Sequence, residues 1–135
     1  QPFDIQGRPI HFAHHDIQSG NGLPFEPGYF SVITMLAVVE HLDPSALSER
    51  IASLRGLLEP GGRLILTTPA GWTHGLLKMM SRVGLVSREE IDEHEFQYSA
   101  RQLREVVVKG GFTEDQIKIG FFEMFMNIWC VCEKH

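Results

Sequence analysis

Two short, almost uninterrupted apolar runs, Tyr29–Leu36 (YFSVITML) and Arg63–Thr68 (RLILTT), flank a segment of helical period. Runs of this kind suit strands buried on both faces, and the spacer between them is long enough for the crossover that parallel strands require. The pair therefore predicts an α/β chain, a sheet covered by helices. With 135 residues, 43% apolar and 21% charged, the chain can bury a core, which excludes wholesale disorder and a disulfide-stapled framework. We read residues 1–135 as a single domain.

Ile10–His14 reads as a short strand, followed by a loop carrying Gly20, Gly22, Pro24, Pro27 and Gly28. Asp43-Pro44 predicts a helix start, because the carboxylate accepts orphan amide protons and proline at the first helical position loses nothing. Leu47, Ile51, Leu54 and Leu58 then form one apolar stripe, with Glu49, Arg50 and Arg55 free to face water and Pro60-Gly61-Gly62 as the stop. Thr73 to about Val83 fits a short helix. Ser99 and Gln102 form a capping box ahead of Leu103, Val106 and Val107, and Gly110-Gly111 ends that helix. Ile117–Phe122 and Met124–Cys132 are β-like runs joined too closely for a parallel crossover, so they predict an antiparallel hairpin.

Twelve Lys and Arg against 17 Asp and Glu give a net charge of −5, and no basic stripe offers a phosphate backbone the clustered cations it needs. Nucleic acid is thus not an expected ligand. No apolar run approaches the roughly 20 residues that cross a bilayer, and a cytoplasmic protein without a membrane span is expected. Cys130 and Cys132 share a strand face and read as reduced, buried thiols. His11 and His15 point to one side of a strand and His14 to the other, so the three do not converge on a metal.

Five segments in order carry a family resemblance. HFAHHD (His11–Asp16), LPF (Leu23–Phe25), FSVITMLAVVEHL (Phe30–Leu42), LLEPGGRLILTTP (Leu57–Pro69) and EFQYSARQLREVVVKGGF (Glu95–Phe112) together resemble the later motifs of class I S-adenosylmethionine-dependent methyltransferases of the small-molecule kind. The resemblance implies a Rossmann-like, mostly parallel sheet with flanking helices and a terminal antiparallel hairpin. It implies S-adenosylmethionine as cofactor. Asp16 would accept from the adenine amino group, the Ile17 amide would meet a ring nitrogen, and Met35 and Leu36 would give backbone groups and walls to the methionine portion. A short acid at a strand's C-terminal end suits this work, since open α/β sheets bind ligands in the crevice there.

Glu40 and His41 mark the subgroup; their spacing fits an active-site pair or residues that order the start of the next helix, and we favour the second. Trp72, His74, His94 and Tyr98 lie in stretches that face the acceptor in the family. His41, His74, His94 and Tyr98 are the candidate proton-transfer groups, a histidine near neutrality being suited to the task. No metal is needed for methyl transfer, and none is expected.

Nothing in the sequence matches the family's first glycine-rich turn or the acid ending its second strand. The chain begins at Gln1, and roughly two βα units, about 60 residues, would precede it in the family. The family's sheet order is 3-2-1-4-5-7-6, so their absence would leave a gap between the first and second strands of this chain. Such exposed edges are costly. Loss of the missing part from a longer parent, sliding of the first strand against the second, or closure by a second copy as a homodimer would each answer the gap. The expected function is methyl transfer to an O, N or C nucleophile of a small molecule by the intact parent, with cofactor binding impaired in this chain alone. The alternative is a non-catalytic module that dimerises or binds partners through its sheet edge and an apolar hairpin carrying Phe121, Phe122, Phe125 and Trp129.

Overall fold

A computed structural model describes residues 14–16, 22–82 and 96–135. Strand β1 (Phe30–Leu36) leads through a 3-10 turn at Val39–His41 into helix α1 (Pro44–Leu57), strand β2 (Leu58–Pro69) and helix α2 (Gly71–Arg82). Helix α3 (Ala100–Lys109), a second 3-10 turn and strands β3 (Ile117–Phe122) and β4 (Asn127–Glu133) follow. The sheet order is β1-β2-β4-β3. β1 and β2 are parallel, and β4 is antiparallel to both β2 and β3. This is the 4-5-7-6 part of the order that the resemblance implies, and the described sheet is accordingly mixed. Of the strand expected over Ile10–His14, residues 10–13 lie outside the described residues, and His14 has no regular structure.

Helix α1 starts where Asp43 accepts from the Ser45 and Ala46 amides at 2.9 and 3.0 Å. Leu47, Ile51 and Leu54 are buried as the stripe requires, but Arg50 is buried too, and the Arg55 guanidinium lies over the Phe112 ring at 5.6 Å. The two arginines therefore do not face water as expected. Burial of a long charged side chain depends on what its helix packs against, which the pattern of charges alone does not convey. The helix also ends at Leu57 rather than at Pro60-Gly61-Gly62. Glu59 precedes a proline and is pushed toward extended backbone, so β2 already begins at Leu58. Its entry is irregular: the register with β1 shifts between Phe30 and Val32, and Gly61 sits at φ +80°.

Helix α3 carries the capping box: the Gln102 amide donates to Ser99 Oγ at 3.2 Å, and the Ser99 amide donates to Gln102 Oε1 at 2.9 Å. Its Leu103, Val106 and Val107 pack into one cluster with Leu47, Ile51 and Leu54 of α1 and with Leu64, Leu66, Ile128, Cys130 and Cys132 of the sheet. The helices approach closely at Gly110, where a β-carbon would stand 2.4 Å from Ile51 Cγ2. Alternation puts Val32, Leu36, Arg63, Thr67 and Trp129 on the opposite face. Strand β1 is not buried on both faces, contrary to expectation: Val32 is 50% and Leu36 57% exposed. Among the described residues β1 is an edge strand, and apolarity cannot distinguish an edge from a centre.

The hairpin forms as predicted over Ile117–Phe122, but β4 begins at Asn127 rather than Met124. Glu123, Met124 and Phe125 all adopt left-handed backbone, at φ 51°, 54° and 66°. They make the turn instead of extending the strand. Trp129 folds across Gly120, where a β-carbon would lie 2.5 Å from its ring; Trp129 is thus half-buried, while Phe121, Phe122 and Phe125 are exposed. Cys130 and Cys132 are free, buried and 3.5 Å apart at sulfur. The hydrogen bond to Cys130 and then burial push the Cys132 thiol well above its ordinary range. Among the described residues no helix is long and apolar enough to cross a membrane, and no group of three or more potential ligands is placed to hold a metal ion.

Candidate functional site

Parallel strands point their C-terminal ends the same way, and the loops leaving them enclose a crevice. Here β1 ends at Leu36 beside Thr67 of β2, and Ala37 turns the chain with a φ of 53°. For a residue with a β-carbon that conformation costs about 1 kcal/mol or more. It is held by the Ala37 amide, which donates to Thr67 Oγ1 at 3.2 Å. Strain kept at the end of this edge strand, with an exposed leucine beside it, leaves an apolar wall that a ligand can cover.

The next turn places Glu40 inside the fold, 6% exposed. Its Oε2 accepts from Thr68 Oγ1 over a long 3.4 Å, and its carbonyl accepts from the Phe96 amide at 2.6 Å. Tyr98 pairs with Ala70 in an isolated parallel bridge and donates its hydroxyl to the Leu42 carbonyl at 2.5 Å. Residues 96–98 thereby lace the loop after β1 to the loop after β2. Two successive threonines at the end of β2 serve opposite faces: Thr67 supports Ala37, and Thr68 meets Glu40. Neither threonine was singled out from the sequence; the only available signal was the pair itself, placed where the strand ends.

Of the residues expected at the cofactor, Met35 and Leu36 stand at the end of β1, one buried and one 57% exposed. Asp16 is exposed with no regular structure around it, and Ile17 lies outside the described residues. Of the candidate proton-transfer groups, His41 is exposed in the turn after β1, and His74 is in the first turns of α2, its side chain outside what is described. His94 lies outside the described residues. Tyr98 is 2% exposed, and burial, then the charge of Asp43, push its hydroxyl up to about 12. A phenol so placed is a tie between loops and is poorly suited to proton transfer. Glu40 and His41 diverge, one buried and one exposed; the cap of α1 is supplied by Asp43 and not by either of them.

Beyond the rim, Trp72 Nε1 donates to the Phe125 carbonyl at 3.0 Å, and the Ala70 amide donates to the Met126 carbonyl at 2.8 Å. These bonds dock the hairpin tip against the start of α2. An open cleft of about 500 Å³ lies there, walled by Trp72, Phe121 and Ile128.

Comparison with known proteins bears on this arrangement. A search of curated proteins returned no match. Among solved structures, an S-adenosylmethionine-dependent methyltransferase from Methanosarcina mazei superposes with a TM-score of 0.62 at 19% identity, over 89% of this chain and 65% of that one. Magnesium protoporphyrin IX methyltransferase from Synechocystis, with bound S-adenosylhomocysteine, gives 0.61 at 19% identity, over 96% and 53%. Human N-acetylserotonin methyltransferase, in complex with S-adenosylmethionine, gives 0.66 at 12% identity, over 98% and 35%. The chain spans less than two thirds of the length of each of these. A family model described as a methyltransferase domain matches residues 2–117, and with the strand order and the strand-end crevice already in place, the chain belongs to that methyltransferase family.

Proposed function

We propose that the protein takes part in methyl transfer from S-adenosylmethionine to an O, N or C nucleophile of a small molecule. The observation that carries this reading is the C-terminal edge of the β1–β2 pair, where a left-handed Ala37 and an exposed Leu36 form an open wall within the matched domain. The methionine portion of the cofactor would lie along Met35 and Leu36, with Asp16 accepting from the adenine amino group and the Ile17 amide meeting a ring nitrogen. When bound, the sulfonium supplies the leaving group. The chain's own task is then to align acceptor and methyl carbon and to exclude water. Glu40 and Tyr98 fix the loops that frame this space. His41, His74 and His94 remain the groups to which we assign removal of the acceptor's proton.

The sequence has no counterpart of the family's glycine-rich turn, whose amides meet the charged portion of the ligand. We therefore assign this chain, tested alone, weak cofactor binding, and full activity to a protein that also supplies that turn. Cytoplasmic location belongs to the same reading. The exposure of Val32 and Leu36 along the edge strand favours a second reading, a module whose open edge meets another copy or partner.

Calorimetric titration of the chain, its mass verified, with S-adenosylhomocysteine tests the proposal. Saturable binding, weakened by Thr67→Val, is expected. A correctly folded chain that binds none even at millimolar ligand would refute it and favour the interaction module.

A further inference from the structure

The cleft beside the hairpin is built from side chains that offer almost nothing to a charged ligand. Trp72, Phe121 and Ile128 wall it, and its polar members are Gln97, Ser99 and Gln102. Ser99 and Gln102 are engaged with each other: Ser99 Oγ donates to Gln102 Oε1 at 2.9 Å, and the two backbone amides complete the capping box. Among the described lining residues, that leaves the Gln97 amide and the Gln102 Nε2 group as the polar side-chain groups outside the cap. Among the described residues that line the cleft there is no Lys, Arg, His, Asp or Glu.

The rim continues this chemistry outward. Phe125 is 69% and Met124 86% exposed. The Phe121 and Phe125 rings lie 5.8 Å apart, and the indole of Trp72 is fixed to the Phe125 carbonyl. Left-handed backbone at Glu123, Met124 and Phe125 holds the tip in place, and the Ala70–Met126 bond ties it to the end of β2. A large apolar surface held open by strained backbone, rather than folded into the core, marks a binding surface. Its floor, Ala70, directly follows β2, on the same sheet edge as the strand-end crevice.

We propose that this cleft binds an uncharged, largely apolar small molecule, and that this is the chemical class of the methyl acceptor. Charge complementarity selects the occupant: an ionised ligand would lose its hydration to a lining whose described residues carry no counter-charge, whereas an aromatic or alkyl body gains contact with Trp72 and Phe121. A polar group on the ligand would meet Gln97 or the Gln102 Nε2 group. The acceptor assignment rests on the methyl-transfer reading; the ligand class rests on the cleft alone.

Two related dyes separate the possibilities. The full chain is titrated with uncharged N-phenyl-1-naphthylamine and with anionic 1-anilinonaphthalene-8-sulfonate, following dye fluorescence. Saturable one-to-one binding of the uncharged dye is expected, tighter than that of the anion by about tenfold or more. Phe121→Asp and Trp72→Ala should each weaken it by about tenfold, with far-ultraviolet dichroism preserved; Phe121→Ser provides a milder variant should either fold poorly. No saturation, equal affinity for the two dyes, or variants of unchanged affinity would overturn the proposal. So would displacement of the dye by self-association, seen as a rise in sedimentation mass with protein concentration, because a second copy would then fill the cleft. S-adenosylhomocysteine is titrated separately in the same preparation. Its binding without dye binding rejects only the ligand class. Dye binding without it upholds the cleft and rejects the acceptor role.

Discussion

Removing one oxygen atom, in Tyr98→Phe, tests how the crevice rim is held. The hydroxyl donates to the Leu42 carbonyl over 2.5 Å from a side chain that is 2% exposed. Without it the carbonyl keeps its desolvation cost and loses its partner, a loss of about 1–3 kcal/mol. At a urea slope of about 2 kcal/mol/M the unfolding midpoint should fall by roughly 0.5–1.5 M at pH 8. The pH dependence adds a second readout. Tyr98 is raised from 10.0 to about 12, chiefly by burial and then by Asp43. The unfolded chain releases this proton near pH 10 and the folded chain only near 12, so the neutral tyrosine's contribution is complete below pH 10 and is lost as pH rises through that interval. At about 1.4 kcal/mol per unit the loss approaches roughly 3 kcal/mol. Phenylalanine does not titrate. The gap between the two proteins should therefore close between pH 10 and 12, on urea curves collected across that range. Equal midpoints at pH 8, or parallel curves up to pH 12, would refute the argument.

The remaining expectations concern other parts of the chain. Gly110→Ala puts a β-carbon 2.4 Å from Ile51 Cγ2 and should cost about 1–3 kcal/mol in denaturant unfolding, and combined with Ile51→Ala it should cost less than the sum of the two single losses. Asp43→Ala removes the acceptor for two amides at the start of α1 and should lower stability by about 0.5–2 kcal/mol, with Asp43→Asn losing less. Cys130 and Cys132, buried and free, should both resist an aromatic disulfide reagent in the folded protein and both react once it is unfolded. Thr67→Val takes away the acceptor of the Ala37 amide; stability should fall by about 1 kcal/mol, and affinity for S-adenosylhomocysteine should fall with it.

What the sequence made legible follows local physics. The Asp43 cap, the Ser99–Gln102 box and the strand Ile117–Phe122 depend on neighbours in the chain, and each stands where the pattern put it. The errors lie where distant contacts decide. Arg50 is buried and Arg55 lies over the Phe112 ring, because burial depends on what α1 meets and not on charge. Helix α1 stopped early because Glu59 answers to Pro60. Met124 reads as strand but turns left-handed in a tip tied to α2 through Trp72 and Ala70, and no local signal reports those ties. At the site the order of motifs marked the ends of β1 and β2. The use of Thr67, Thr68 and Phe96 was hidden, since each acts on a partner about 28 residues away or more.

Under the proposed function, a ligand of the methyl-donor class lies at the C-terminal ends of β1 and β2. Amide chemical-shift mapping with S-adenosylhomocysteine tests it even when binding is weak. Concentration-dependent shifts are expected at residues 35–37 and 67–70, with the strand pair at 130–133 undisturbed. Shifts centred instead on the open cleft that Arg63, Lys118 and His135 line, or none at millimolar ligand in a folded chain, would contradict it.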